Sequence, residues 1–164
     1  RSLAVHGKGS DKYDNIRVGM NSRLDTLQAA ILLEKIKIFK NEVVLRNEIA
    51  NLYKQKLNHI SDITFQTIPK AYESVYAQFS ILFSDETKRN NVQKYLMNEN
   101  IPSVIYYPIS GHLQKGYRYL NYKEGDFPVS EELGKRILSL PMHPYLEEEQ
   151  IDRIVRTIED GLTK

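Results

Sequence analysis

Apolar residues in the first third of the chain recur at helical spacing: Leu24, Leu27, Ile31, Leu32, Ile36 and Phe39, with Gln28 on the same stripe. Neither proline nor glycine interrupts the run from Ser22 to about Leu57. That permits a helix of roughly 35 residues, about 50 Å long. It exceeds most globular helices, so a bend or break is expected within it. Ser22 followed by Asp25 predicts an N-cap and a capping acid, and Asp25 suits the positive end of the helix dipole. Asn21 and Arg23 stand at the mouth of this helix, where a helix N-terminus attracts anions.

The pattern changes after the helix. Ile63 to Ile68 and Tyr76 to Phe83 read as strands, the second alternating Tyr76, Gln78 and Ser80 with Ala77, Phe79 and Ile81. Asp85 to Glu99 reads as a helix capped by Asp85, with Val92, Tyr95 and Leu96 as its buried face. Ser103 to Tyr107 is the predicted third strand, stopped by Pro108, and Gly111 to Gly125 is an irregular loop rich in tyrosine. Pro128 opens a helix to about Leu138, Leu140-Pro141 starts an extended piece, and Glu147 to Leu162 is the last helix, acidic in its first turn. Residues 1 to 21 read as polar loop with a short strand at Ser2 to Val5. The expected fold class is α+β: a long N-terminal helix leading into a small three-stranded sheet covered by helices. The expected divisions are 1–21 (interface loop), 22–58 (connecting helix) and 59–164 (small C-terminal domain).

Composition narrows the chemistry. The apolar fraction of 41% and charged fraction of 27% over 164 residues describe a globular chain. Lys plus Arg number 23 against 21 Asp plus Glu, interleaved, which gives no electrostatic case for nucleic acid. The absence of cysteine excludes disulfides, thiolate metal sites and cysteine nucleophiles within the chain. His6, His59, His112 and His143 lack metal-site spacing, so no metal is expected. No apolar run approaches the roughly 18 residues of a membrane span, and no signal peptide is apparent; the cytoplasm is the expected location.

Several motifs fall in one order: His6-Gly7, Lys12-Tyr13, and Gly19-x-Asn21-x-Arg23-Leu24-Asp25-x-x-Gln28-Ala29-Ala30. Tyr106-Tyr107-Pro108, His112-x-Gln114, Phe127-Pro128 and Leu140-Pro141-x-His143-Pro144 follow. The chain resembles, almost end to end, the DegT/StrS-type sugar-nucleotide aminotransferases, pyridoxal-phosphate enzymes of the aspartate-aminotransferase fold. The resemblance implies an enzyme that takes a sugar nucleotide and an amino-acid donor such as glutamate, working as a homodimer in surface-polysaccharide biosynthesis. It implies that Asn21 donates a hydrogen bond to the cofactor phosphate across a subunit boundary. It places Arg23, Tyr106, Tyr107, His112 and Gln114 at the substrate, Tyr106 standing where many members have histidine. The wording around Arg23 is similar to that of enzymes aminating UDP-3-keto-N-acetylhexosaminuronic acids, whose carboxylate a guanidinium fork would hold.

Each residue has a bland reading too. Asn21 could cap locally. Arg23 could pair with Asp25 or Glu34, and Tyr106 and Tyr107 could pack on the core. The chain begins at Arg1, and no lysine in it occupies the family's Ser-Phe…Lys-Asn-Leu setting. The imine-forming lysine is therefore expected outside it, and the isolated chain is expected to be inactive. The competing reading is a non-catalytic, dimerising interaction module.

Overall fold

The computed structural model describes residues 1–11 and 13–163. Lys12 of the Lys12-Tyr13 pair lies outside the described residues. The chain divides into two units, Arg1–Asn41 and Glu42–Lys164. Helix α1 (Thr26–Leu57) is unbroken over 32 residues and contributes its first half to one unit and its second half to the other.

Within the first unit the backbone does most of the organising. His6 N–H donates to Met20 O, Met20 N–H to Leu3 O and Ser22 N–H to Ala4 O, and Val5 bridges Asn21 in antiparallel fashion. A second bridge joins Lys8 to Asn15. Gly7 sits at φ +75° against the backbone of Arg17, where a Cβ would collide. The expected strand at Ser2 to Val5 reduces to the single bridge at Val5, because residues 2–4 turn back on themselves (Ala4 N–H to Arg1 O, Val5 N–H to Ser2 O). The expected N-cap at Ser22 is corrected as well. Residues 21 and 22 are held extended by that pairing, so the helix starts later. Asp25 takes the capping role, its Oδ1 accepting from Leu27 N–H at 2.9 Å.

The second unit is built on burial. Strands β1 (Ile63–Phe65), β2 (Phe79–Phe83) and β3 (Ile137–Leu140) form one antiparallel sheet in the order β1-β2-β3. Ile63 pairs with Phe83, and Phe79 with Leu140. Phe79, Ile81 and Phe83 alternate inward and meet Leu138 and Leu140 of β3. Helix α2 (Glu86–Asn98), helix α4 (Glu148–Leu162) and the second half of α1 cover them, supplying Val92, Leu96, Ile151, Ile158, Tyr53 and Leu57. Helix α3 (Pro128–Arg136) leads directly into β3.

The α+β class with a three-stranded sheet holds, but its third member changes. Ser103 to Tyr107 makes only one bridge, Val104 to Ser139, and the strand is Ile137–Leu140 instead. Proline at 102 and 108 limits pairing on that segment, whereas 137–140 is proline-free, apolar but for Ser139, and almost wholly buried. The expected strand at 76–83 shortens to Phe79–Phe83, with Tyr76 leaving extended backbone at φ 39°; within the strand the expected alternation holds, Phe79 and Ile81 sharing the buried face. Tyr76 is thereby buried, its ring near Phe79 and its hydroxyl accepting from Lys54 Nζ at 3.0 Å.

The helix ends follow local chemistry. Asp85 caps α2 through Lys88 N–H, and Glu147 and Gln150 form a capping box at α4. Asn100, at φ 57°, ends α2: its N–H reaches Met97 O and Ile101 N–H reaches Leu96 O, a Schellman arrangement.

Candidate functional site

Asn21 and Arg23 are exposed and bonded to each other. Arg23 Nε donates to Asn21 Oδ1 at 3.0 Å. The bland partners of Arg23 are otherwise engaged: Asp25 caps α1, and Glu34 accepts from Lys37 at 2.6 Å. The Asn21–Arg23 bond occupies the amide's acceptor and leaves its N–H₂ and the outer guanidinium N–H groups as donors. This is a set that suits an anion and repels a cation.

In the second unit Tyr106 and Tyr107 pack edge to face, ring centroids 5.6 Å apart, at the mouth of a largely apolar cavity of about 580 Å³. Phe127, Leu133 and Ile137 form apolar walls, and Ser110 and Asp126 add polar atoms. Tyr107 stays 70% exposed, so it is not a core residue. Gly134 allows α3 to approach the Tyr107 backbone; a Cβ there would lie 2.9 Å from Tyr107 O.

Among the described residues, His112 and Gln114 lie outside the lining of that cavity. His112 Nε2 bonds Glu131 Oε1 at 2.9 Å, with side chains only 7% and 11% exposed. Its ring packs against Phe127 at 4.8 Å and Tyr122 at 6.5 Å. Gln114 Nε2 donates to Ile109 O at 3.0 Å and joins two short 3-10 turns, Gly111–Leu113 and Lys115–Leu120. The structure thus brings Asn21 to Arg23 in one unit, and Tyr106 to Tyr107 in the other. It places His112 and Gln114 in the framework of the loop behind the cavity.

Glu131 was not among the sequence-derived candidates. Its carboxylate accepts from Gly125 N–H at 2.9 Å and Phe127 N–H at 3.3 Å as well as from His112. The Gly125 amide above all, helped by Phe127 and His112, holds its carboxyl below the usual carboxylate range against the opposing effect of burial. The available signal was an acid in the first turn of a helix opened by Pro128.

Among the described residues no three His, Asp or Glu side chains gather as metal ligands, and no helix is long and apolar enough to cross a membrane.

A family model for the DegT/DnrJ/EryC1/StrS aminotransferases matches residues 1–159. The chain belongs to this family. A Pseudomonas aeruginosa relative, UDP-2-acetamido-2-deoxy-3-oxo-D-glucuronate aminotransferase, is 39% identical over 147 residues, which cover 90% of this chain and 39% of that protein. A solved DegT/DnrJ/EryC1/StrS aminotransferase from Brucella abortus is 44% identical with TM-score 0.83, over 99% of this chain and 42% of that one. NtdA from Bacillus subtilis, solved with bound cofactor PMP, is 25% identical with TM-score 0.80, over 99% and 38% of the two chains. The chain spans about two fifths of the length of the curated relatives it matches. Aminotransferases of the DegT family depend on pyridoxal phosphate. The donors of Asn21 and Arg23 fit its phosphate by charge and by hydrogen-bonding sense.

Proposed function

We propose that the protein carrying this chain is a pyridoxal-phosphate-dependent aminotransferase that aminates a keto sugar nucleotide. A UDP-3-keto-N-acetylhexosaminuronic acid is the favoured acceptor and an amino acid such as glutamate the donor. The observation that carries this reading is the family match over residues 1–159, joined to the mutually bonded Asn21–Arg23 donor pair inside the matched segment. The Pseudomonas aeruginosa relative named for a 3-oxo-glucuronate substrate supports the choice of acceptor. Surface-polysaccharide biosynthesis, a cytoplasmic location and a homodimer complete the proposal. For the dimer, the support is the row of exposed apolar residues on the first half of α1, including Leu27, Ile31 and Ile36.

The cofactor, when bound, supplies the electron sink for transamination. This chain's contribution is binding and orientation. Asn21 offers its amide N–H₂ to the phosphate, and Arg23 fixes that amide by occupying its oxygen. The outer edge of the Arg23 guanidinium then faces a second anion, the substrate carboxylate. Tyr106 and Tyr107 present hydroxyls and ring faces at the apolar cavity, where a sugar nucleotide excludes water. The imine-forming lysine is assigned to the remainder of the protein.

The test is substrate discrimination by Arg23→Lys in the intact protein. Lysine keeps the charge and loses the fork. The expected outcome is a drop of about tenfold or more in kcat/KM for the uronate, roughly one charge-assisted hydrogen bond, with the neutral 6-hydroxy analogue changed far less. Equal losses would assign Arg23 to the nucleotide or the fold and remove the uronate.

A further inference from the structure

Glu131 joins the two ends of one loop to α3. His112 lies near the start of the 111–127 segment, and Gly125 and Phe127 lie at its end; all three donate to the one carboxylate. Gly125 has φ +91°, which turns its N–H toward the acid. Asp126 closes the same turn by accepting from Lys123 N–H at 2.9 Å. Between the tethered ends lie Tyr117, Tyr119 and Tyr122, and the segment ends in Phe127, an apolar wall of the cavity. The Phe127 ring is fixed between His112 at 4.8 Å and Tyr122 at 5.1 Å. With the carboxylate removed, the His112 ring and two backbone amides lose their common acceptor in a largely buried place.

We propose that Glu131 is a positioning residue for sugar-nucleotide binding: it holds the 111–127 segment, and with it Phe127, as the wall of the Tyr106–Tyr107 cavity. The inference rests on the functional reading above, which puts the substrate at that cavity. Glu131 touches no cavity-bound group itself and acts through Phe127 and His112. Its loss therefore weakens capture of the sugar nucleotide and leaves the half-reaction with the amino donor alone.

The intact enzyme with its cofactor is compared with Glu131→Ala and Glu131→Gln, the latter keeping shape and one acceptor oxygen. In Glu131→Ala the KM for the sugar nucleotide rises about tenfold or more, kcat stays within about threefold, and the amino-donor half-reaction rate is unchanged. Trypsin cleavage at Lys115, Arg118 and Lys123, exposed residues of the segment, accelerates by a similar factor. Glu131→Gln recovers most of both effects. An unmoved KM in Glu131→Ala, with or without faster cleavage, overturns the proposal and leaves Glu131 a structural staple. So does a fall in kcat with KM constant. A wild-type enzyme that turns over no sugar nucleotide overturns the functional reading and this inference with it, whereas an active wild type with unmoved KM in Glu131→Ala overturns this inference alone.

Discussion

The two halves of α1 have similar apolar content and opposite fates. In Thr26–Asn41, Leu27, Ile31, Leu33 and Ile36 are each more than 60% exposed. In Glu42–Leu57, Ala50, Tyr53 and Leu57 are completely buried. One helix, with one backbone hydrogen-bond pattern, is therefore held in two ways. The first half relies on its own ladder and on the loop bridges before it. The second is locked by a core: Tyr53 stacks on Phe79 at 4.9 Å and donates to Pro141 O at 3.0 Å. The lesson is that helical periodicity marks a face fit for burial, while the burial energy comes from whatever covers it.

The largest test of that contrast is a pair of truncations. Tyr53→Ala empties a fully buried aromatic site and is expected to destabilise the chain by about 3–5 kcal/mol. Ile31→Ala, at 61% exposure, should stay within about 0.5 kcal/mol. Urea denaturation of the 164-residue chain reads both; similar losses would erase the distinction between the halves.

Hydrogen exchange sharpens the same contrast along one helix. Amides of Thr26–Asn41 are expected to exchange about a hundredfold faster than those near Tyr53, because opening the first half uncovers no core. Uniform protection along α1 in the isolated chain would count against this.

A smaller effect should follow Gly134→Ala. The added methyl meets Tyr107 O at 2.9 Å, so α3 or the Tyr106–Tyr107 segment has to shift. A loss of about 1–2 kcal/mol is expected, with altered exchange around the cavity and none in residues 26–41. A change confined to the first unit would contradict the placement of that contact.

The smallest is a pH effect belonging to the core unit alone. Lys88 foremost, and then Ser84, hold the Asp62 carboxyl below the usual carboxylate range, with Lys88 Nζ at 2.6 Å. A carboxyl with a depressed folded-state pKa adds stability above its ordinary value of about 4, and that stability is lost as pH falls through the folded value. Asp62→Asn should therefore lower the melting temperature near neutral pH and flatten its fall between about pH 5 and pH 3. An acid limb identical to wild type would remove Asp62 from the account.

Much of the framework was legible from sequence because local rules suffice for it. Asp85, Asn100 and the acids before α4 end or start helices by chemistry confined to a few residues. The Asn21-x-Arg23 motif likewise lies within three residues, although the bond between its two side chains is seen only in the structure. What failed were choices between competing partners. Ser22 lost its capping role to a backbone bond with Ala4, and 103–107 lost the third strand to 137–140, a segment that reads equally well as the end of α3. His112 and Glu131 lie 19 residues apart with no periodicity linking them. By itself, then, the sequence determined the main helices, the Asp85 cap and the acidic start of α4, the absence of thiol chemistry and the family motifs. Only the tertiary structure decided which strand completes the sheet, which half of α1 is covered, and that His112 serves the loop behind the cavity. Caps and periodicity act over one or two turns, whereas strand partnership and burial depend on which distant segments compete for the same surface.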